Sequence, residues 1–298
     1  MPLKQKKIVT KKKISLVLGS GGARGIVHIG IIQWLEEHNY QIRSISGCSM
    51  GALIGGFYAA GKLDAYSTWL REIDMLDMLK LLDFQGSGGF VSGTKLMNKL
   101  GKLLGEHKIE DLPIKFTAVA TDIDAQKEVW INEGPLLSAI RASISLPMFF
   151  TPYRYKNRNL VDGGVLNPVP IAPTFHDDTD LTISVNLGGE ATQTPLTEIK
   201  NRDSSFSTTL KEYFSKLSLP ESFTKEDNIY MIANKSFETM QSNIARMKLA
   251  AYPSDIEIDI PINLCKTFDF NKADKLIEYG YNICDTIEEL KENNAKSI

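Results

Sequence analysis

The sequence has little cysteine, little net charge and no long apolar run, and each shortage excludes a class of protein. Three cysteines in 298 residues are too few for a disulfide framework, and the spacing of Cys48, Cys265 and Cys284 matches no zinc-binding pattern. A formal net charge of -2 lacks the basic excess typical of nucleic-acid-binding domains. No apolar run reaches the ~18 residues of a membrane-spanning helix. We therefore predict no nucleic-acid partner and no transmembrane segment.

Residues 1–13 are the one strongly charged stretch, with six lysines and no acid. We interpret them as a basic flexible arm, which is either a solvated terminus or a weak contact to an anionic membrane surface. No signal-peptide hydrophobic region follows the lysines. The expected location is therefore cytoplasmic, with peripheral membrane contact compatible with the arm. The sequence gives no indication of oligomeric state.

The pattern of apolar residues predicts an α/β fold. Residues 14–18 are continuously apolar, which favours a strand buried on both faces of a parallel sheet. A glycine-rich turn and a helix over 25–38 follow, then a strand at 42–46, a tight turn and a helix over 51–60. This alternation of strands and helices is typical of a mostly parallel sheet flanked by helices.

The rest of the chain fits one domain over 14–298. Residues 63–82 have a broad apolar stripe and precede a glycine-rich stretch at 84–91, so they form either a core helix and loop or a lid over a site. Residues 188–228 are polar, and we predict an insertion or mobile loop there. Helix, strand and helix are predicted over 236–250, 256–260 and 272–290.

Three turns carry the residues suited to chemistry. The first is Gly47-Cys48-Ser49-Met50-Gly51, between a predicted strand and helix. This context is that of a nucleophile elbow, in which Gly47 and Gly51 leave room for a sharp turn that exposes the serine hydroxyl. Ser49 would also lie at a helix N-terminus, where N–H groups favour negative charge. The elbow presents its middle residue, so Cys48 is interpreted as a small buried filler.

The second turn is Gly21-Gly22-Ala23-Arg24-Gly25, again between a strand and a helix. Consecutive glycines let N–H groups converge on one point, which is what an oxyanion hole requires. Nucleotide binding is disfavoured, because the spacing misses G-x-G-x-x-G and no G-K-[ST] follows.

The third turn is Asp162-Gly163-Gly164, which follows the apolar Leu160-Val161. The aspartate could serve as general base if it meets the serine hydroxyl in a poorly solvated site. On its own, Asp-Gly is more typical of a simple turn.

Together these turns, in this order, resemble the patatin-like phospholipase family, which includes bacterial proteins like neuropathy target esterase. The segment from Ala139 to Ser143 and Pro147 also resembles the block that precedes the family's aspartate. The resemblance implies a three-layer α/β/α fold and a serine lipid acyl-hydrolase acting on a phospholipid or other acyl ester without a cofactor. It implies Ser49 as nucleophile, Asp162 as its partner in a dyad, and N–H groups from Gly21 to Gly25 as the oxyanion hole. Arg24 would orient that loop or meet an anionic head group.

Several alternatives stay open. An α/β-hydrolase triad needs a histidine after the acid, and only His176 follows Asp162. An acyltransferase would share the same acyl-serine, and a catalytically silent lipid-binding protein would share the same fold. Asp122 and Asp124 are too few carboxylates for a metal site, so no metal is predicted.

Overall fold

The computed structural model describes residues 11–73, 75–81, 83–85, 90–193, 196 and 229–295. The strands are β1 (Lys12–Leu18), β2 (Tyr40–Cys48), β3 (Phe84–Gln85), β4 (Phe90–Val91), β5 (Lys115–Asp122), β6 (Lys127–Ile131), β7 (Tyr153–Tyr155), β8 (Arg158–Asp162), β9 (Leu181–Gly189) and β10 (Ile256–Pro261). The helices are α1 (Val27–Glu37), α2 (Met50–Ala59), α3 (Leu63–Glu72), α4 (Met75–Lys80), α5 (Thr94–Leu104), α6 (Leu136–Ser143), α7 (Ile229–Ala251), α8 (Ala273–Cys284) and α9 (Glu288–Ala295).

A mixed, mostly parallel sheet forms the centre of the fold. Its order is β10-β9-β1-β2-β5-β8-β7, and β6 also pairs with β5. The strands from β10 to β5 in this order run parallel, whereas β6, β7 and β8 are antiparallel to their neighbours. The apolar residues of β1 are buried on both of its faces, as the continuous apolar run predicted. The predicted α/β fold class is confirmed.

Helices cover both faces of this sheet. Leu16 and Leu18 belong to the main apolar core, which includes α1 and α2, while Val17 packs with Ala245 and Leu249 of α7. Because successive strand residues point to opposite faces, α7 lies on the other face from α1 and α2. Close packing of α1 on α8 depends on Gly30, where an added Cβ would lie 1.9 Å from the carbonyl oxygen of Ile277.

Two predicted helices are interrupted. The predicted helix over 63–82 is two helices, α3 and α4, because the backbone adopts an extended conformation at Ile73. The pattern over 272–290 gives α8 and α9, with Asp285 at the break accepting a hydrogen bond from Trp34 Nε1 at 2.9 Å.

Other predicted segments are only partly described. Residues 1–10 of the basic arm, residues 86–89 of the glycine-rich stretch and most of the 188–228 insertion lie outside the described residues. The single-domain organisation stays a prediction. Among the residues that are described, no helix combines the length and apolarity needed to cross a bilayer.

Candidate active site

The turn between β2 and α2 places Ser49 at the carboxyl end of the sheet. Its φ of 55° and ψ of -121° are unusual for a residue with a side chain, as a sharp strand-to-helix turn requires. An added Cβ at Gly51 would lie 2.0 Å from the carbonyl oxygen of Leu18, so no larger residue fits there. An added Cβ at Gly47 would likewise lie 2.5 Å from the carbonyl oxygen of Gly51. The predicted elbow geometry is present.

Ser143 fixes this turn from the end of α6. The backbone N–H of Ser49 donates to Ser143 Oγ at 2.9 Å, and Ser143 Oγ donates to the carbonyl oxygen of Val119 at 2.6 Å. Ser143 is fully buried. Its role was not predicted from the sequence, although it belongs to the block that resembles the family.

The register of β5 brings the first and third motifs together. Cys48 lies opposite Val119, and Asp162 lies opposite the next residue, Ala120. Because β6 occupies the other edge of β5, β2 and β8 share one edge and meet end to end there. An added Cβ at Gly163 would lie 2.2 Å from the carbonyl oxygen of Val119, so this close approach requires glycine.

The carboxyl group of Asp162 is fully buried beside Ser49. Its Oδ1 accepts hydrogen bonds from the Gly164 N–H at 2.7 Å and from Cys48 Sγ at 3.7 Å. Its Oδ2 is buried and has no hydrogen-bond partner within bonding geometry. Burial raises the pKa of Asp162 from 3.8 to about 6, and the Ser49 hydroxyl and Gly164 N–H offset part of that rise. Because burial outweighs these contacts, the ionised carboxylate is poorly solvated, which makes it a stronger base than an exposed aspartate.

The glycine loop leaves two N–H groups free near Ser49. Gly21 and Gly22 line a small cavity with Ser49, and among the described residues neither N–H has an acceptor in the protein. Ala23 differs, because its N–H donates to the carbonyl oxygen of Thr267 at 2.8 Å. Arg24 and Gly25 continue into a 3-10 turn that leads to α1. Of the five residues predicted for an oxyanion hole, Gly21 and Gly22 line this cavity with N–H groups that have no acceptor in the described part of the chain.

Arg24 is buried, and it serves the loop structurally. Its Nη1 donates to the carbonyl oxygen of Ile262 at 2.9 Å, and its Nη2 lies 3.7 Å from Glu238 Oε1. Its Nε is buried without a partner. The guanidinium group therefore ties the loop to the segment before α8, and it also faces the cavity that contains Ser49.

Part of the wall of the cavity over Ser49 is formed by α7. The cavity measures about 40 Å³, and its other lining residues come from α7, from the turn after α6 and from the segment before α8. The residues from α7 are Asn234, Phe237, Glu238 and Gln241. Residues 236–250 were predicted to be helical, but the sequence did not indicate that this helix covers the site.

Among the described residues, no histidine hydrogen-bonds to the carboxyl group of Asp162. His176 is exposed in the turn before β9, where its neighbour Asp177 bonds to Lys115 at the start of β5, the opposite end of the sheet from Ser49. His28 is buried and its Nε2 bonds to the carbonyl oxygen of Gly19 at 3.0 Å. Burial lowers the pKa of His28 to about 4, so it stays neutral and supports the glycine loop.

Cys48 and the acidic pair have structural roles. Burial and the neighbouring Asp162 hold the pKa of the Cys48 thiol well above its usual value, so it remains a neutral donor to that carboxyl group. Asp122 Oδ1 accepts from the Ala125 N–H at 3.0 Å, as expected of a turn at a strand end. Within the described ranges, no three His, Cys, Asp or Glu side chains are grouped to hold a metal ion.

Comparison with known proteins agrees with this architecture. Residues 16–175 match the family described as patatin-like phospholipase, and they include all three motif turns. The chain belongs to the patatin-like phospholipase family. An uncharacterised NTE family protein of Mycobacterium tuberculosis is 34% identical, with 90% of this chain and 89% of the relative covered.

More distant relatives include longer proteins. Lysophospholipase NTE1 of Debaryomyces hansenii is 26% identical over 96% of this chain, which spans only 18% of the yeast protein. Among solved structures, VipD of Legionella pneumophila is similar with a TM-score of 0.46 and 17% identity, covering 95% of this chain and 67% of VipD.

Proposed function

We propose that this protein is a serine lipid acyl-hydrolase that uses Ser49 and Asp162 as a catalytic dyad. The observation that carries the proposal is the buried Asp162 Oδ2, which has no partner and lies in the carboxyl group next to the Ser49 hydroxyl. A buried polar atom without a partner is costly, and a site that keeps one commonly uses it. Family membership supports acyl-ester hydrolysis in general.

The proposed reaction has two steps through an acyl-enzyme. Asp162 accepts the proton of Ser49 as Oγ attacks the ester carbonyl, and the leaving alcohol takes that proton as it departs. Water then gives a proton to Asp162 as it attacks the carbonyl of the acyl-serine, and Asp162 returns that proton to Ser49 Oγ as the fatty acid is released. The pKa of about 6 for Asp162 suits a base that is ionised near neutral pH.

The oxyanion of each tetrahedral intermediate would be held by the N–H groups of Gly21 and Gly22. Both groups are free of protein acceptors in the described part of the chain. A preorganised donor of this kind contributes about 10²–10³-fold to the rate. The Ser143 contact keeps the strained elbow aligned with these donors.

The proposed substrate is a phospholipid or lysophospholipid. Lysophospholipase relatives and the family as a whole support a lipid acyl ester. Arg24 faces the cavity with a positive charge that would meet an anionic head group if Glu238 moved away. Since its substrates are lipids, we also infer peripheral contact with a membrane surface.

A lipid hydrolysis panel with matched serine variants tests the proposal. Fatty acid release is measured from a lysophospholipid, a diacyl phospholipid and a water-soluble short-chain ester. Ser49→Ala should abolish release from every substrate, whereas Ser46→Ala should retain it. Ser46 is the matched control because it is a buried serine on the strand that leads to Ser49, and its hydroxyl has no partner among the described residues. Wild-type rates in Ser49→Ala, or release that a His176→Ala change abolishes in folded protein, would contradict the dyad. Release accompanied by acyl transfer to an added alcohol would extend the activity to transfer.

A further inference from the structure

Lipid cannot reach Ser49 while α7 is in place. The cavity over Ser49 measures about 40 Å³, which is room for about three water molecules at the ~15 Å³ that each one needs. An acyl chain needs several times that space. Because α7 supplies Asn234, Phe237, Glu238 and Gln241 to the wall of this cavity, its N-terminal half has to move before an ester with a long acyl chain can bind.

The two halves of α7 are attached to the domain in different ways. The C-terminal half is anchored by Ala245 and Leu249, which pack into an apolar cluster with Val17 of β1. It is also anchored by Lys248 Nζ, which lies 2.6 Å from Glu128 Oε1.

The N-terminal half is held mainly by polar contacts. Glu238 Oε1 accepts from Thr267 Oγ1 at 2.6 Å and lies 3.7 Å from Arg24 Nη2. Gln241 Nε2 donates weakly to Ser20 Oγ at 3.5 Å. Polar contacts of this kind exchange with water at little net cost, whereas the apolar anchor does not. The N-terminal half of α7 is therefore the half that can lift from the domain, while the C-terminal half stays attached.

The outer face of α7 carries exposed apolar and basic side chains among the polar Ser236, Thr239 and Asn243. Ile232, Met240 and Met247 are 59%, 55% and 72% exposed, although large apolar side chains are usually buried. Lys235 and Arg246 are exposed on the same helix. The single acidic residue of α7 is Glu238, which faces Arg24 rather than the outside. Exposed apolar side chains flanked by cations, with no anion among them, are the pattern of a helix that lies in an anionic membrane interface.

We propose that the outer face of α7, formed by Ile232, Lys235, Met240, Arg246 and Met247, docks on an anionic lipid bilayer, and that docking lifts the N-terminal half of α7 from the Ser49 cavity. This proposal rests on the proposed function, because it names the surface through which the same site would receive lipid. Lifting separates Glu238 from Arg24 and opens the cavity on the side that faces the bilayer. The chosen occupant is lipid because the face combines cations with exposed apolar side chains and has no anion.

Vesicle flotation tests the docking step without requiring turnover. The full chain is mixed with vesicles of phosphatidylcholine alone or of phosphatidylcholine with phosphatidylglycerol. We expect flotation with the anionic vesicles and little with the neutral ones. Met240→Gln and Met247→Gln should each weaken binding about tenfold, as expected for losing most of the burial of one methionine. Ile123→Gln is the matched control, because Ile123 is also exposed but lies in the turn after β5 and not on α7.

Quenching of tryptophan fluorescence tests the lifting step. Phe237→Trp places a tryptophan probe on the cavity side of α7. The fluorescence of this probe is obtained by subtracting the fluorescence of the wild-type protein from that of the variant. Anionic vesicles should make this probe more accessible to acrylamide, and the Met240→Gln/Met247→Gln double variant should show no such change.

Three results would overturn the proposal. They are absence of flotation, flotation that the methionine variants leave unchanged, and a dimer in sedimentation that those variants dissociate, since a second copy would then cover the face. Flotation and lifting without hydrolysis of any ester would instead refute the proposed function and leave the docking surface standing.

Discussion

Replacing Asp162 with asparagine should inactivate the protein and stabilise it at the same time. Asp162 is fully buried, and its Oδ2 has no hydrogen-bond partner. Asn keeps the acceptor for the Gly164 N–H and replaces the unpartnered oxygen with an N–H donor that faces the Ser49 hydroxyl. The variant loses a general base, so we expect the rate to fall by about 10²–10⁴-fold.

The size of the stability gain follows from the pKa of Asp162. Burial raises this pKa from 3.8 to about 6, so ionisation opposes folding. The favourable contribution of the protonated carboxyl group is fully present below pH 3.8 and is lost as pH rises through about 6. A difference of about two pKa units corresponds to at most about 3 kcal/mol of unfolding free energy above pH 6. Asn carries no charge and avoids that loss.

The assay is urea unfolding of wild type and Asp162→Asn at about pH 4 and about pH 8. The Asp162 carboxyl group is mostly protonated in the folded protein at the lower pH and ionised at the higher pH, so the two values bracket the expected change in unfolding free energy. We expect the variant to be more stable by about 1–3 kcal/mol at the higher pH and by much less at the lower pH. Asp178→Asn is the control, because Asp178 is exposed in the turn before β9. A variant that is less stable than wild type by the same amount at both pH values would refute the argument, since the ionised carboxylate would then be well solvated in the fold.

Three further predictions concern activity. Hydrolysis of a soluble ester should fall as pH drops below about 6, because the base must be ionised, and a kcat/KM profile that stays flat down to pH 4 would contradict the assignment of Asp162. Ser143→Ala leaves the buried Ser49 N–H without an acceptor, so we expect kcat to fall about 10–100-fold with KM little changed, and Ser143→Thr to restore part of it. Glu238→Gln removes the charge that faces Arg24, so it should raise the rate on a soluble ester several-fold, and an unchanged or lower rate would argue that α7 does not restrict entry.

The sequence predicted the turns of the site because each has a local requirement for glycine. An added Cβ at Gly51 or Gly163 would lie 2.0 Å or 2.2 Å from a backbone carbonyl oxygen. Only glycine fits such positions, so the motifs can be recognised from their glycines. The alternation of strands and helices could also be predicted from the sequence, since continuous apolar runs are typical of strands in the middle of a parallel sheet.

The sequence could not predict how these turns meet. That Asp162 lies beside Ser49 depends on the register of β5, which places Cys48 and Asp162 opposite consecutive residues. The register is a tertiary property that no spacing between motifs encodes. The engagement of the Ala23 N–H by Thr267, the Ser143 bridge and the position of α7 over the cavity are likewise long-range contacts. They join segments whose local patterns show only a turn or a helix.

Labelling with a fluorophosphonate, followed by peptide mass mapping, tests the central claim most directly. The probe reacts with a serine only when that serine is activated as a nucleophile and accessible. We predict one modified site, Ser49, in the wild-type protein, no modification in Ser49→Ala, and slow modification in Asp162→Asn because the proton acceptor is gone. Ser46→Ala should be labelled like wild type. Modification of another residue, or equal labelling rates for wild type and Asp162→Asn, would contradict a dyad of Ser49 and Asp162.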